Sequence, residues 1–184
     1  ALQVVHRRFV DFQFEGAVGL GGEHAGADGP RCAGDVEQLA LSRDGRTIAM
    51  VVNEAGVGVL RLFDADTRRE LPRPQVPIGA VSGVQWHPDS TALAFDLDSS
   101  QSPGDVYVLD VAANRVSRWT ESKVAGLDAS RFAVQTPIEW RSFDGRTITG
   151  FIARPPTQFT GRRPVMIQIH GGPEGQARPG FMGR

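Results

Sequence analysis

Two stretches of this chain repeat each other 45 to 46 residues apart, and that spacing narrows the choice of fold more than any other feature. Ser42-Arg43-Asp44-Gly45 is answered by His87-Pro88-Asp89-Ser90, and Ile48-Ala49-Met50 by Leu93-Ala94-Phe95, each 45 residues on; Asp64 is answered by Asp110, 46 residues on. Both tetrapeptides carry turn chemistry. Around them stand short runs rich in Val, Ile, Leu and Phe that lack any helical period. The first unit reads as strands over residues 36–41, 47–53 and 59–64. The second reads as strands over 81–86, 91–98, 105–110 and 115–120, with a loop at 101–104. A period in the mid-forties, with four strands to a unit, is the mark of β-propeller blades. One such unit cannot bury both of its faces, so units must stack on one another. Two units do not close a ring, and further blades are expected upstream.

Bulk properties exclude several function classes. With 20 Lys plus Arg against 21 Asp plus Glu the net charge is −1, and no basic stripe marks a nucleic-acid surface. Apolar residues make up 40% of the chain, enough for a globular core. No apolar run approaches the roughly 20 residues a spanning helix needs, so no membrane partner is expected. Cys32 is the sole cysteine, which rules out an internal disulfide framework and a Cys-rich zinc site. A lone cysteine fits a reducing compartment, and the expected location is cytoplasmic. The sequence opens at Ala1 with neither an initiator Met nor the basic-then-apolar order of a signal peptide, so its natural start is expected to lie upstream.

Outside the repeat the pattern is less regular. Residues 4–14 read as one or two strands, with Val10, Phe12 and Phe14 alternating. Residues 16–34 read as Gly-rich loop holding His24 and Cys32; two ligand types without a second pair do not make a metal site, and none is expected. After Thr120 a polar connector places a domain boundary near residues 128–135. Residues 138–142 and 147–153 then read as strands around Phe143-Asp144-Gly145-Arg146, where Asp-Gly is a strong hairpin signal. Beyond Pro155, Pro156 and Pro164, the apolar run Val165-Met166-Ile167-Gln168-Ile169 reads as a buried strand.

That run leads straight into His170-Gly171-Gly172-Pro173. A strand ending in His-Gly-Gly is where α/β-hydrolases build half of their oxyanion hole. Glycine suits the place because a backbone N–H must approach a substrate carbonyl oxygen with no Cβ in the way. The donor must also be fixed before negative charge develops on that oxygen, and losing one such donor costs roughly 100- to 1,000-fold in rate. The candidate donors are the amides of Gly171 and Gly172, with His170 and Pro173 shaping the loop. Read blandly, Gly-Gly-Pro is a turn that ends a strand.

The order of these parts resembles the prolyl oligopeptidase family of serine peptidases. The resemblance rests on "DVEQLALSRDGRTIAMVVNEAG" and "VQWHPDSTALAFDLD", followed by "IEWRSFDGRTITGFIARPP" and "RRPVMIQIHGGPEGQ". It covers roughly residues 35–176, is poor before Asp35, and includes acylaminoacyl-peptidase-like and dipeptidyl-peptidase-like members. It implies a mostly β fragment, with β-propeller blades over residues 1–127 (1–34 poorly defined) followed by the first strands of an α/β-hydrolase domain over residues 128–184. It further implies short peptides as substrates, no cofactor, and a serine in a G-x-S-x-G elbow with an aspartate and a histidine.

No G-x-S-x-G occurs in these 184 residues. Ala80-Val81-Ser82-Gly83 lacks the first glycine, and His170 does not match the family's triad histidine, which comes near the end of those enzymes. Asp144 reads as a turn residue, and Trp86 and His87 as structural. The triad is therefore expected beyond Arg184, and the chain alone is expected to be inactive. The rival reading is a TolB-like or WD-repeat-like propeller scaffold without catalysis. It requires another blade in step after Thr120, whereas the spacing breaks there.

Overall fold

A computed structural model describes residues 34–172 and 175–182. The strands expected over residues 4–14 and the loop holding His24 and Cys32 lie outside the described residues. Among the described residues nine strands form three antiparallel sheets, and the only helical element is one short 3-10 turn. β1 (Asp35–Leu41), β2 (Thr47–Glu54) and β3 (Val57–Asp64) make the first sheet. β4 (Ala80–Trp86), β5 (Ala92–Ser99), β6 (Ser102–Asp110) and β7 (Arg115–Arg118) make the second, and β8 (Gln135–Arg141) and β9 (Thr147–Ala153) the third. The fold is thus mostly β, and each of the first two sheets is a simple up-and-down meander.

The repeat is physical as well as textual. In β5, Leu93, Phe95 and Leu97 turn toward the first sheet and are buried, whereas the alternate residues Ala92, Ala94 and Asp96 are half-buried or exposed. Period-two alternation dictates this division of faces. Those three side chains join Ala49, Val51, Leu60, Leu62, Val81 and Leu109 in one core shared by both sheets. The opposite face of the first sheet gathers Ile48, Met50, Val52 and Phe63. Polar links cross between the sheets. The Trp86 indole N–H donates to the Ala40 carbonyl at 3.0 Å, the Val84 amide to Gln38 Oε1 at 3.3 Å, and the Asp44 amide to Ser90 Oγ at 3.1 Å. Trp86 is therefore a structural tie, as its place beside a turn implies.

One turn design recurs three times. Gly45, Ser90 and Gly145 all have positive φ (74°, 65° and 81°), and each donates its amide to the carbonyl three residues back. In each turn the aspartate accepts from the amide two residues on: Asp44 from Arg46, Asp89 from Thr91, and Asp144 from Arg146. Gly is the default residue in this left-handed position. Ser90 tolerates it while its hydroxyl receives the Asp44 amide.

Three expectations need correction. The run at residues 165–169 is not a buried strand: it forms no ladder, and Val165, Met166, Ile167 and Ile169 are between 79% and 94% exposed. A strand exists only against a partner, and none of the described strands pairs with it. The loop expected at residues 101–104 is shorter, because β6 begins at Ser102. The fourth strand of the second sheet stops at Arg118 rather than Thr120, because the Thr120 hydroxyl turns aside to Asp105.

Asp105 explains both of the latter differences. Its side chain is wholly buried, and it accepts from the Ser102 hydroxyl, the Thr120 hydroxyl at 2.9 Å, the Ser122 amide at 2.7 Å and Arg118 Nη2 at 2.6 Å. Burial works to raise its pKa, but these donors together hold it down to about 2. A carboxylate depressed in the folded state contributes stability above its unfolded pKa of about 3.9, and loses it as pH falls through its folded value. The melting temperature is therefore expected to drop between about pH 4 and pH 2. Asp105→Asn should flatten that slope and lower stability at pH 7 by about 2–3 kcal/mol, since Arg118 would face an amide. An unchanged acid slope in the variant would show that other carboxylates dominate.

Candidate functional site

The residue 170–172 loop follows the exposed run and is itself exposed. Gly172 has φ of +71°, a left-handed conformation in which a side chain is strained, and among the described residues no atom beyond the chain neighbours stands within 4 Å of where a Cβ would lie on Gly171 or Gly172. Both candidate amides thus sit on a backbone that a ligand can approach closely. Pro173 lies outside the described residues. His170 lies against Gly175: a Cβ built there would stand 2.6 Å from His170 Nδ1 and 2.5 Å from the Gly171 carbonyl oxygen. Only glycine fits position 175 without moving the loop.

The antiparallel β8–β9 hairpin precedes this segment, in register from Gln135↔Ala153 to Arg141↔Thr147. Asp144 occupies its turn, accepting from the Arg146 amide and lying 3.4 Å from its guanidinium. This is turn chemistry, as expected. The connector before the hairpin holds the 3-10 turn Ala129–Arg131, capped by Asp128, which accepts from the Ser130 amide and hydroxyl.

Nothing else among the described residues has the geometry of an activated nucleophile. His87 Nδ1 lies 2.7 Å from Asp89 Oδ1, and the Thr91 hydroxyl donates to the same oxygen at 2.7 Å. Those bonds, led by the Thr91 amide, hold the Asp89 carboxyl at about 2. In a working triad the histidine stands between hydroxyl and carboxylate, so that it can take the hydroxyl proton. Here the carboxylate stands in the middle, and the hydroxyl is only anchored. Ser42 with Asp44 and Ser102 with Asp105 likewise pair a hydroxyl with a carboxylate and lack a base beside them. No group of three or more His, Cys, Asp or Glu among the described residues could hold a metal ion.

Sequence reasoning missed the residues that tie this loop region to the sheets. Arg178 forms a bidentate pair with Glu37, and the Phe181 amide donates to Asp98 Oδ1 at 2.8 Å. The signal for Glu37 was faint: it stands in a β-bulge, between the pairs Val36↔Val52 and Gln38↔Val51, and a bulge breaks the alternation that marks a strand.

No protein-family model matches the chain, and neither does any curated protein. Solved structures do resemble it. A prolyl endopeptidase, from work on inter-domain dynamics in catalysis and specificity, superposes with a TM-score of 0.70 at 20% identity, over 84% of this chain and 22% of its own. Puromycin hydrolase gives 0.60 at 19% identity, over 78% of this chain and 22% of its own. Ligand-free prolyl oligopeptidase B from Galerina marginata gives 0.58 at 20% identity, over 69% of this chain and 18% of its own. The shared feature is the fold, and the chain spans about a fifth of the length of these structures.

Proposed function

We propose that the chain is part of a serine peptidase of the prolyl oligopeptidase type, in which the first two sheets are propeller blades and residues 128–184 open an α/β-hydrolase domain. The observation that carries this reading is the sequel to the second meander. After Arg118 the chain does not begin another four-stranded sheet in step. It passes through a connector into the separate β8–β9 hairpin, and then through an apolar run to a left-handed Gly-Gly loop. A propeller scaffold gives no reason for that sequel. The likeness to prolyl endopeptidases over 84% of the chain supports the same assignment.

On this reading the amides of Gly171 and Gly172 donate to the oxygen of the scissile carbonyl as it gains negative charge. A further donor and the serine that attacks come from elsewhere in the whole enzyme. The apolar run is exposed because its sheet neighbours belong to the rest of that domain, and short peptides are the substrates. No cofactor is required, since acyl transfer through a serine uses only protons and hydrogen bonds.

The purified 184 residues should therefore show no turnover of aminoacyl or peptidyl chromogenic substrates, and no labelling by a fluorophosphonate. Turnover that survives further purification would contradict the reading, because it would require a nucleophile and base within these residues.

A further inference from the structure

Residues 176–181 run across one end of the first two sheets and are held by both. The Asn53 side-chain amide donates to Gln176 Oε1 at 2.6 Å, and Arg178 Nη1 donates to Glu37 Oε2 at 3.0 Å while Nη2 reaches Oε1. Pro179 is fully buried. The Gly180 amide donates to Gln135 Oε1 at 3.1 Å, the Phe181 amide donates to Asp98 Oδ1, and the Phe181 ring lies 5.7 Å from that of Phe132. Even the turn between β2 and β3 is shaped for the segment, since a Cβ on Gly56 would stand 2.6 Å from the Ala177 carbonyl oxygen.

The bulge gives these contacts a cause. An extra residue in one strand bends it and re-aims a side chain out of the ladder. In β1 that residue is Glu37, and its carboxylate meets a guanidinium 141 residues away. The second sheet bulges too, between Ser82 and Gln85, but there the strand carries Gly83, with φ of +61°, and the apolar Val84, and neither offers a charge. A bidentate arginine–carboxylate pair fixes direction as well as distance. At the other end of the segment, Gly175 lies directly against His170 and Gly171. The segment and the loop therefore meet at Gly175, next in the chain to residue 176.

We propose that residues 176–181 act as a clamp that sets the position of the residue 170–172 loop against both sheets, with Arg178 and Glu37 as its positioning pair. The role in catalysis rests on reading that loop as an oxyanion site; the clamp itself does not. Preorganised donors are effective only when their position is fixed before reaction, and the loop's own exposed residues supply little to fix it.

Amide exchange and NMR of the 184-residue chain test the clamp without any assay of activity. The Gly180 and Phe181 amides should be protected. Glu37→Arg should lower that protection at least tenfold and shift the Gly171 and Gly172 amide resonances. The double variant Glu37→Arg with Arg178→Glu should restore both. Free exchange at Gly180 and Phe181 in the unaltered chain would overturn the clamp. So would a Glu37→Arg variant in which Phe181 responds and Gly171 and Gly172 do not. In the longer enzyme the same single variant should lower kcat about tenfold with KM little changed, and the swap should recover it. An unchanged kcat would overturn the catalytic role. Failure to find a downstream serine would instead sink the peptidase reading and leave the exchange result standing.

Discussion

Phe95→Ala is expected to destabilise the chain by about 3–5 kcal/mol, the largest loss from any single side chain in the shared core. Phe95 is 1% exposed and stacks on Tyr107 with ring centroids 5.9 Å apart and planes 17° from parallel. Truncation removes both the transfer energy of a phenyl ring and its contacts with residues from two sheets. The surrounding ladders, from Ala92↔Asp110 to Ser99↔Ser102, restrain collapse into the space left behind. Urea unfolding should show a lower midpoint at an unchanged slope, with intrinsic Trp fluorescence and far-ultraviolet circular dichroism shifting together. A stability within about 0.5 kcal/mol of the parent would mean that the two sheets do not share a core.

The second large effect concerns rate. On the proposed peptidase reading, Gly172→Ala in the complete enzyme is expected to lower kcat about 100-fold with little change in KM. Alanine in the left-handed region costs about 1–2 kcal/mol, and the loop relieves that strain by turning the peptide groups on either side. Displacing a reacting group or its donor by about 1 Å costs on the order of 100-fold. Substrate binding in the ground state is not changed by this, which is why kcat carries the loss. Gly161 supplies the control. It too has positive φ, +86°, with nothing within 4 Å of a Cβ position, and it lies outside the loop. Gly161→Ala should carry the same backbone strain and leave kcat unaltered. Equal losses in the two variants would show a general effect on folding rather than a role for the loop.

These expectations rest on parts of the chain that differ in how openly the sequence declares them. The strands of the first two sheets were legible because they are short apolar runs bounded by turn chemistry: β2 buries Ile48 to Val52 without a break, on both faces of its sheet, whereas β5 buries alternate residues. Leu93, Phe95 and Leu97 announce their face by spacing alone, and Asp44-Gly45 and Asp89-Ser90 announce the turns. The second-sheet boundaries were missed by a few residues where a side chain competes with the ladder: Ser102, Thr120 and Ser122 all turn to Asp105, and no local pattern reveals a buried carboxylate's donors. The run at residues 165–169 has the composition of a strand, but composition cannot supply the partner that makes one. Glu37 and Arg178 are 141 residues apart. Their pairing depends on a bulge and on the path of a coil segment, neither of which leaves a periodic trace. The Gly-Gly loop lies between these cases. Its left-handed backbone at Gly172 is shown, while the oxyanion role proposed for it calls for groups supplied from outside the residues described.

The most direct test is to read the coding sequence past the codon for Arg184. The peptidase account predicts an open frame leading into G-x-S-x-G, then an aspartate, then a histidine near the end of the protein. A frame that continues instead into further four-stranded repeats at the same period, or that closes at a natural stop after Arg184, would contradict it.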